Sequence, residues 1–278
     1  MPTNPPKLKA PPLSVDCHFH IFGPHARYPL SPGRGYTPPE SLVPDYLRMA
    51  ESVGIGRMVV VQASVHGTDN RVTTDAVAQF GRHRAVAIAV IDDSFDSAAL
   101  KRLADAGTVG VRFNLVSGNG TPVEQLEATA RRIAPLGWHI QVYVEGEQLE
   151  ELAPHLAKLP VPIVIDHMGG ARSHLGTNHP QFRALLRLME QENIWIKLCP
   201  YIPSSAGPPY TDMEANTRAL VAGAAPRYVW GTNWPHPRMD PAPNEGHLLD
   251  LLTAWTDRAT RDAILTANPA RLYGFPPP

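Results

Sequence analysis

The chain has 278 residues, 43% hydrophobic and 18% charged, with a formal net charge of −1. That composition can bury a large core and excludes a disordered chain. Its near-neutral charge, with Lys and Arg scattered, offers no footing for nucleic acid or an anionic membrane surface and makes a small molecule the expected partner.

Residues 1–12 are rich in proline and predict an extended N-terminal segment without the apolar stretch of a signal peptide. Cys17 and Cys199 are too few for a disulfide framework, so a cytoplasmic protein with free thiols is expected. The longest apolar runs, such as MVVVQA at 58–63, are far short of a bilayer span.

The first strand candidate is LSVDCHFHIF, at 13–22. Strict alternation would point His18, His20 and Asp16 to one side and turn Cys17 and Phe19 toward covering helices. Two imidazoles facing one barrel mouth can bind a metal or polarise a carbonyl. A helix is predicted over 41–54, and a strand follows at RMVVVQA, 57–63, ending in Gln62, Ser64 and His66. AVAIAVI at 85–91 is the third strand, with helical spacing over 94–107. TVGVRFNLV at 108–116 carries Arg112 and Asn114, and a helix is predicted over 122–137. HIQVYVEG at 139–146 ends in Tyr143 and Glu145, the latter placed to orient a histidine or to cap the next helix. VPIVIDH at 161–167 ends in Asp166 and His167, and helical spacing covers 181–193. IWIKLCP at 194–200 carries Lys197 and Cys199, and RYVWGTN at 227–233 leads to Thr232, Asn233 and His236.

Eight strands that are apolar on both faces, alternating with helices over about 250 residues, predict an α/β protein built as a single (β/α)8 TIM barrel, residues 1–278 forming one domain. An open doubly wound sheet would usually show a glycine-rich phosphate turn after its first strand, and none is present. In such a barrel the reactive groups lie at the C-terminal ends of the strands, where these polar residues fall.

The motifs DCHFHIFGPHARYPLSPGRGYTPP, VVVQASVHGTDN, GVRFNLV, QVYVEG, VIDHMG, WGTNWPHP and NPARLYGF, in this order, resemble the amidohydrolase superfamily, in particular its 2-pyrone-4,6-dicarboxylate lactonase branch. The resemblance spans nearly the whole chain. It implies that His18, His20 and His167 surround a lactone carbonyl, that Arg112 and Tyr143 hold substrate oxygens, and that Tyr36, Ser64 and Thr68 line the pocket. Members of this branch can work without a metal, so no cofactor is expected, and three imidazoles would donate hydrogen bonds to the developing oxyanion. A weak zinc site at His18 and His20 is the alternative.

Two departures from the branch stand out. Asn233 replaces the acidic residue expected after strand eight, and an amide cannot take a proton from water. Arginines expected after strands four and seven are missing, which leaves Arg112 to hold one carboxylate. The resulting expectation is hydrolysis of a small polar lactone, with His167 or His236 as base. The alternatives are a sugar-acid lactone isomerase, which Asn233 favours, a metal-dependent decarboxylase, and a non-enzymatic sugar-acid-binding protein. The oligomeric state is left open.

Overall fold

All eight predicted strands form: β1 (Val15–Phe19), β2 (Arg57–Val61), β3 (Ala85–Ala89), β4 (Thr108–Asn114), β5 (His139–Tyr143), β6 (Ile163–Ile165), β7 (Ile194–Leu198) and β8 (Tyr228–Trp230). They pair in parallel and in sequence order, β1 through β8. The structure, a computed structural model, describes residues 3–117, 119–223 and 227–277.

Helices α1 (Val43–Val53), α2 (Arg71–Phe80), α3 (Ser97–Asp105), α4 (Leu126–Ile133), α5 (Glu147–Leu156), α6 (Pro180–Met189) and α7 (Glu214–Val221) cover the sheet between strands. After β8 come α8 (Glu245–Trp255), α9 (Arg258–Asp262) and α10 (Asn268–Tyr273). The α1 segment shows why such stretches fold locally. Pro44 lies in its first turn, Asp45 accepts a hydrogen bond from the Leu42 amide, and Val43, Tyr46, Met49, Ala50 and Val53 form one buried stripe. Gly54, at φ 92°, ends it in the left-handed conformation that glycine adopts without strain. Among the described residues no helix is long and apolar enough to cross a membrane.

The inward and outward faces of β1 differ from simple alternation. Val15 and Asp16 pair with Arg57 and Met58, but Phe19 pairs with Val60, so β1 carries one extra residue. Cys17 therefore packs inside the barrel with Val15, Val59, Val61 and Val229, rather than toward the helices. His18 also turns inward, while Asp16 turns outward and accepts a hydrogen bond from Tyr46 of α1 at 3.1 Å. The bulge thus lets two imidazoles face the barrel axis while freeing a carboxylate for another task.

That task is closing the barrel. Asp16 accepts from the backbone amides of His18 and Thr232 and from the Thr232 hydroxyl, tying β1 to the end of β8. The same seam carries His20 N–H to Trp234 O and Asn233 N–H to His18 O. Gly231 permits this approach, since a Cβ there would lie 2.6 Å from the Cβ of His18. Asp16→Ala strands two buried amides and should lower stability by about 2–4 kcal/mol in denaturant unfolding. A loss below about 0.5 kcal/mol would show that the seam does not depend on this carboxylate.

Candidate active site

A cavity of about 330 Å³ opens where the strands end. His20, Tyr36, Ser64, Arg112, Tyr143, His167, Asn233 and His236, all singled out in the sequence, line it. Thr68 does not: it lines a separate surface cavity with Ser31, His66 and Asn119. His18 is fully buried, its ring centroid 5.0 Å from that of His20 and 4.7 Å from that of His167. His167, Asn233 and His236 hold left-handed backbone, with φ of 50°, 58° and 60°. Non-glycine residues persist there only when their surroundings hold them, and such residues gather at functional sites.

Lys197 organises the floor. It is fully buried, and its ammonium donates to Gln141 Oε1 at 2.6 Å, Asp166 Oδ1 at 2.8 Å and His18 Nδ1 at 3.0 Å, matching three protons to three acceptors. The second Asp166 oxygen accepts from Arg112 Nε at 3.0 Å. Burial works to raise the Asp166 carboxyl, but the positive charges of Lys197 and Arg112 overcome it and hold the group well below the usual carboxylate range.

These contacts set the histidine tautomers. His18 Nδ1 accepts from Lys197, so the proton of the neutral ring is on Nε2, which has no hydrogen-bond partner. Burial, reinforced by Lys197, pushes the His18 imidazole well down, so the ring is uncharged. His20 has the opposite arrangement: its Nδ1 lies 2.8 Å from Val61 O, which can only accept, so the neutral ring leaves a lone pair on Nε2. The expectation that three imidazoles donate together is thus corrected; neutral His20 offers an acceptor. Burial pushes both His20 and His167 down to about 3.

His18, Asp166 and His167 place possible ligand atoms within 4.8 Å of one another. The donor set nevertheless suits a metal poorly. Asp166 already contacts two cations, Lys197 and Arg112, and Asn233 offers an amide where a carboxylate would bind better.

Several lining residues were not legible as site residues. Arg172, after β6, and Arg238, after β8, join Arg112, so three arginines and the carboxylate of Glu145 line the cavity. The reading of a single arginine is thereby corrected. Glu145 neither orients a histidine nor caps α5, whose N-cap is Gly146; it accepts from Tyr143 Oη at 2.7 Å and from Arg172 at 3.1 Å. Arg238 lies over the Tyr36 ring at 5.9 Å. Tyr201, within a proline-rich loop that shows no periodicity, also lines the cavity and contacts Asn233. Cys199 is fully buried and its thiol is pushed well up by burial, which leaves it inert.

A family model for amidohydrolases matches residues 15–275. The chain belongs to the amidohydrolase family. This amidohydrolase is 38% identical to a 2-pyrone-4,6-dicarboxylate hydrolase of Comamonas testosteroni, over 96% of this chain and 92% of the relative. It is 36% identical to a 4-sulfomuconolactone hydrolase of Hydrogenophaga intermedia, covering 98% and 92%. It is also 33% identical to a D-galactarolactone isomerase of Agrobacterium fabrum, covering 95% and 92%.

Proposed function

We propose that this amidohydrolase hydrolyses a small anionic lactone without a metal. The observation that carries the reading is one cavity lined by uncharged His167 and three arginines, with uncharged His18 buried against His167. His18 Nε2–H is a buried donor without a partner, the group an oxyanion would satisfy, and His167 lies beside it. Arg112 and Arg172 bind the substrate's acidic group, with Tyr143 placed by Glu145. Lys197 supplies a fixed positive charge behind His18 where a metal would otherwise polarise the carbonyl. Similarity to two hydrolases of acidic lactones supports the substrate class.

A panel of mono- and dicarboxylated lactones, followed by acid release and by NMR, tests the reading. Acid release from at least one member is expected, and no turnover of any would overturn it. Chelator should leave the rate within about twofold, because Asp166 and Asn233 cannot complete a tight site. A chelator-sensitive rate restored by zinc would refute metal independence.

Asn233 favours a second reading, ring migration, in which a substrate hydroxyl attacks in place of water; similarity to the lactone isomerase supports it. The same NMR spectra separate it, since migration gives a new lactone and releases no acid.

A further inference from the structure

The lactone chemistry needs a group that takes the proton of the attacking oxygen, and the cavity's obvious candidates do not serve. Asn233 has no basic atom. His20 and His167 are pushed down to about 3, too weak to act as bases near neutrality. Glu145 already holds Tyr143 and Arg172.

On the β8 side of the cavity lies a hydrogen-bonded chain that no other role accounts for. Tyr201 Oη is 2.6 Å from Asn233 Nδ2 and 2.8 Å from His236 Nδ1. His236 Nε2 is 3.0 Å from Glu245 Oε1, and the other Glu245 oxygen accepts from Thr3 Oγ1 at 2.6 Å. Its direction follows from its end. Although burial works to raise it, hydrogen bonds from His236 and Thr3 hold the Glu245 carboxyl below its ordinary value, so it is ionised and can only accept. His236 Nε2 therefore carries the proton, neutral Nδ1 accepts, and Tyr201 donates to it. The tyrosine oxygen in turn accepts from Asn233, which leaves it one lone pair.

We propose that Tyr201 is the catalytic residue that accepts the proton of the attacking oxygen, passing its own proton to His236 while Glu245 stabilises the imidazolium. The proposal rests on the lactone reading above. As the water O–H bond breaks, its oxygen bonds to the carbonyl carbon, its proton goes to Tyr201 Oη, and the tyrosine proton goes to His236 Nδ1. When the ring C–O bond breaks, the departing oxygen takes a proton from Tyr201, which recovers its own from His236. One water is consumed and every protein group returns to its starting state. Burial pushes the Tyr201 hydroxyl well up, so it transfers a proton in concert with His236 rather than ionising first. His236 and Glu245 are positioning residues in this scheme, and Asn233 orients the tyrosine oxygen.

The test measures kcat and KM on the best lactone of the panel, with melting temperatures as the check on folding. Tyr201→Phe should lower kcat about 100-fold or more. Glu245→Gln keeps an acceptor for His236 but removes the charge, and should lower kcat at least about tenfold with KM little changed. Adding Asn233→Asp to Tyr201→Phe supplies a carboxylate base and should recover at least about tenfold of the lost rate. An active native enzyme whose folded Glu245→Gln variant keeps full kcat, or whose double variant is no faster than Tyr201→Phe, overturns the relay alone. A native protein that opens no lactone overturns the lactone reading and the relay with it.

Discussion

Lys197→Met is expected to lower stability by about 3–5 kcal/mol and kcat by about 10²–10³-fold. The ammonium is fully buried and bonded to Asp166, Gln141 and His18, so its removal leaves Asp166 with Arg112 as its one remaining cation. Breaking one side of a buried ion pair costs more than the pair contributes, because the partner charge stays desolvated. The catalytic loss has a separate cause. Without the ammonium, His18 Nδ1 can hold the ring proton, and Nε2 becomes an acceptor that repels an oxyanion. Removing the competing cation should also raise zinc affinity at His18, Asp166 and His167, whose ligand atoms already lie within 4.8 Å of one another. Urea unfolding, steady-state kinetics and zinc titration read the three effects. A variant with native turnover would show that Lys197 does not set the His18 tautomer.

Asn233→Asp should move products toward ring-opened acid, reducing any lactone-to-lactone migration shown by the native enzyme at least about tenfold. The change barely alters volume but places a base on the cavity wall, beside the Tyr201 hydroxyl that Asn233 now contacts at 2.6 Å. Such a carboxylate can deprotonate water directly, which favours hydrolysis over attack by a substrate hydroxyl. It is also the hard ligand missing from the histidine cluster, so zinc affinity should rise as well. NMR of the products and a zinc titration follow both outcomes. Unchanged products, rate and metal affinity together would place Asn233 outside the reacting centre.

Much of the frame was legible because it depends on local periodicity. Each strand candidate became a strand, and helices α1, α3, α4 and α6 formed where apolar spacing and turn residues predicted them. The α2 segment RVTTDAVAQF was harder to single out, since Val72, Thr73 and Thr74 together weaken helical preference and tertiary burial of Val72, Ala76, Val77 and Phe80 decides it. Strand-end position alone brought His20, Arg112, Tyr143, His167 and Asn233 to one cavity. The family resemblance misplaced Thr68, because the short turn of helix Ser64–His66 directs the chain away from the mouth.

By itself, then, the sequence determined the alternation of strand and helix, the His18 and His20 pair, the amide at Asn233 and the family motifs. These are properties of residue identity and short-range spacing. Only the tertiary structure decided which way Cys17, His18 and Asp16 point, because the extra residue in β1 is defined by pairing with β2. It alone decided the tautomers of His18 and His20, which depend on Lys197 and Val61, residues 179 and 41 positions away. It also brought Tyr201, His236 and Glu245 into one chain and added Arg172 and Arg238 to the cavity wall. The physical reason is that charge, tautomer and hydrogen-bond direction are set by whichever group lies within about 3 Å in the folded protein, and barrel closure brings together groups from distant strands and loops.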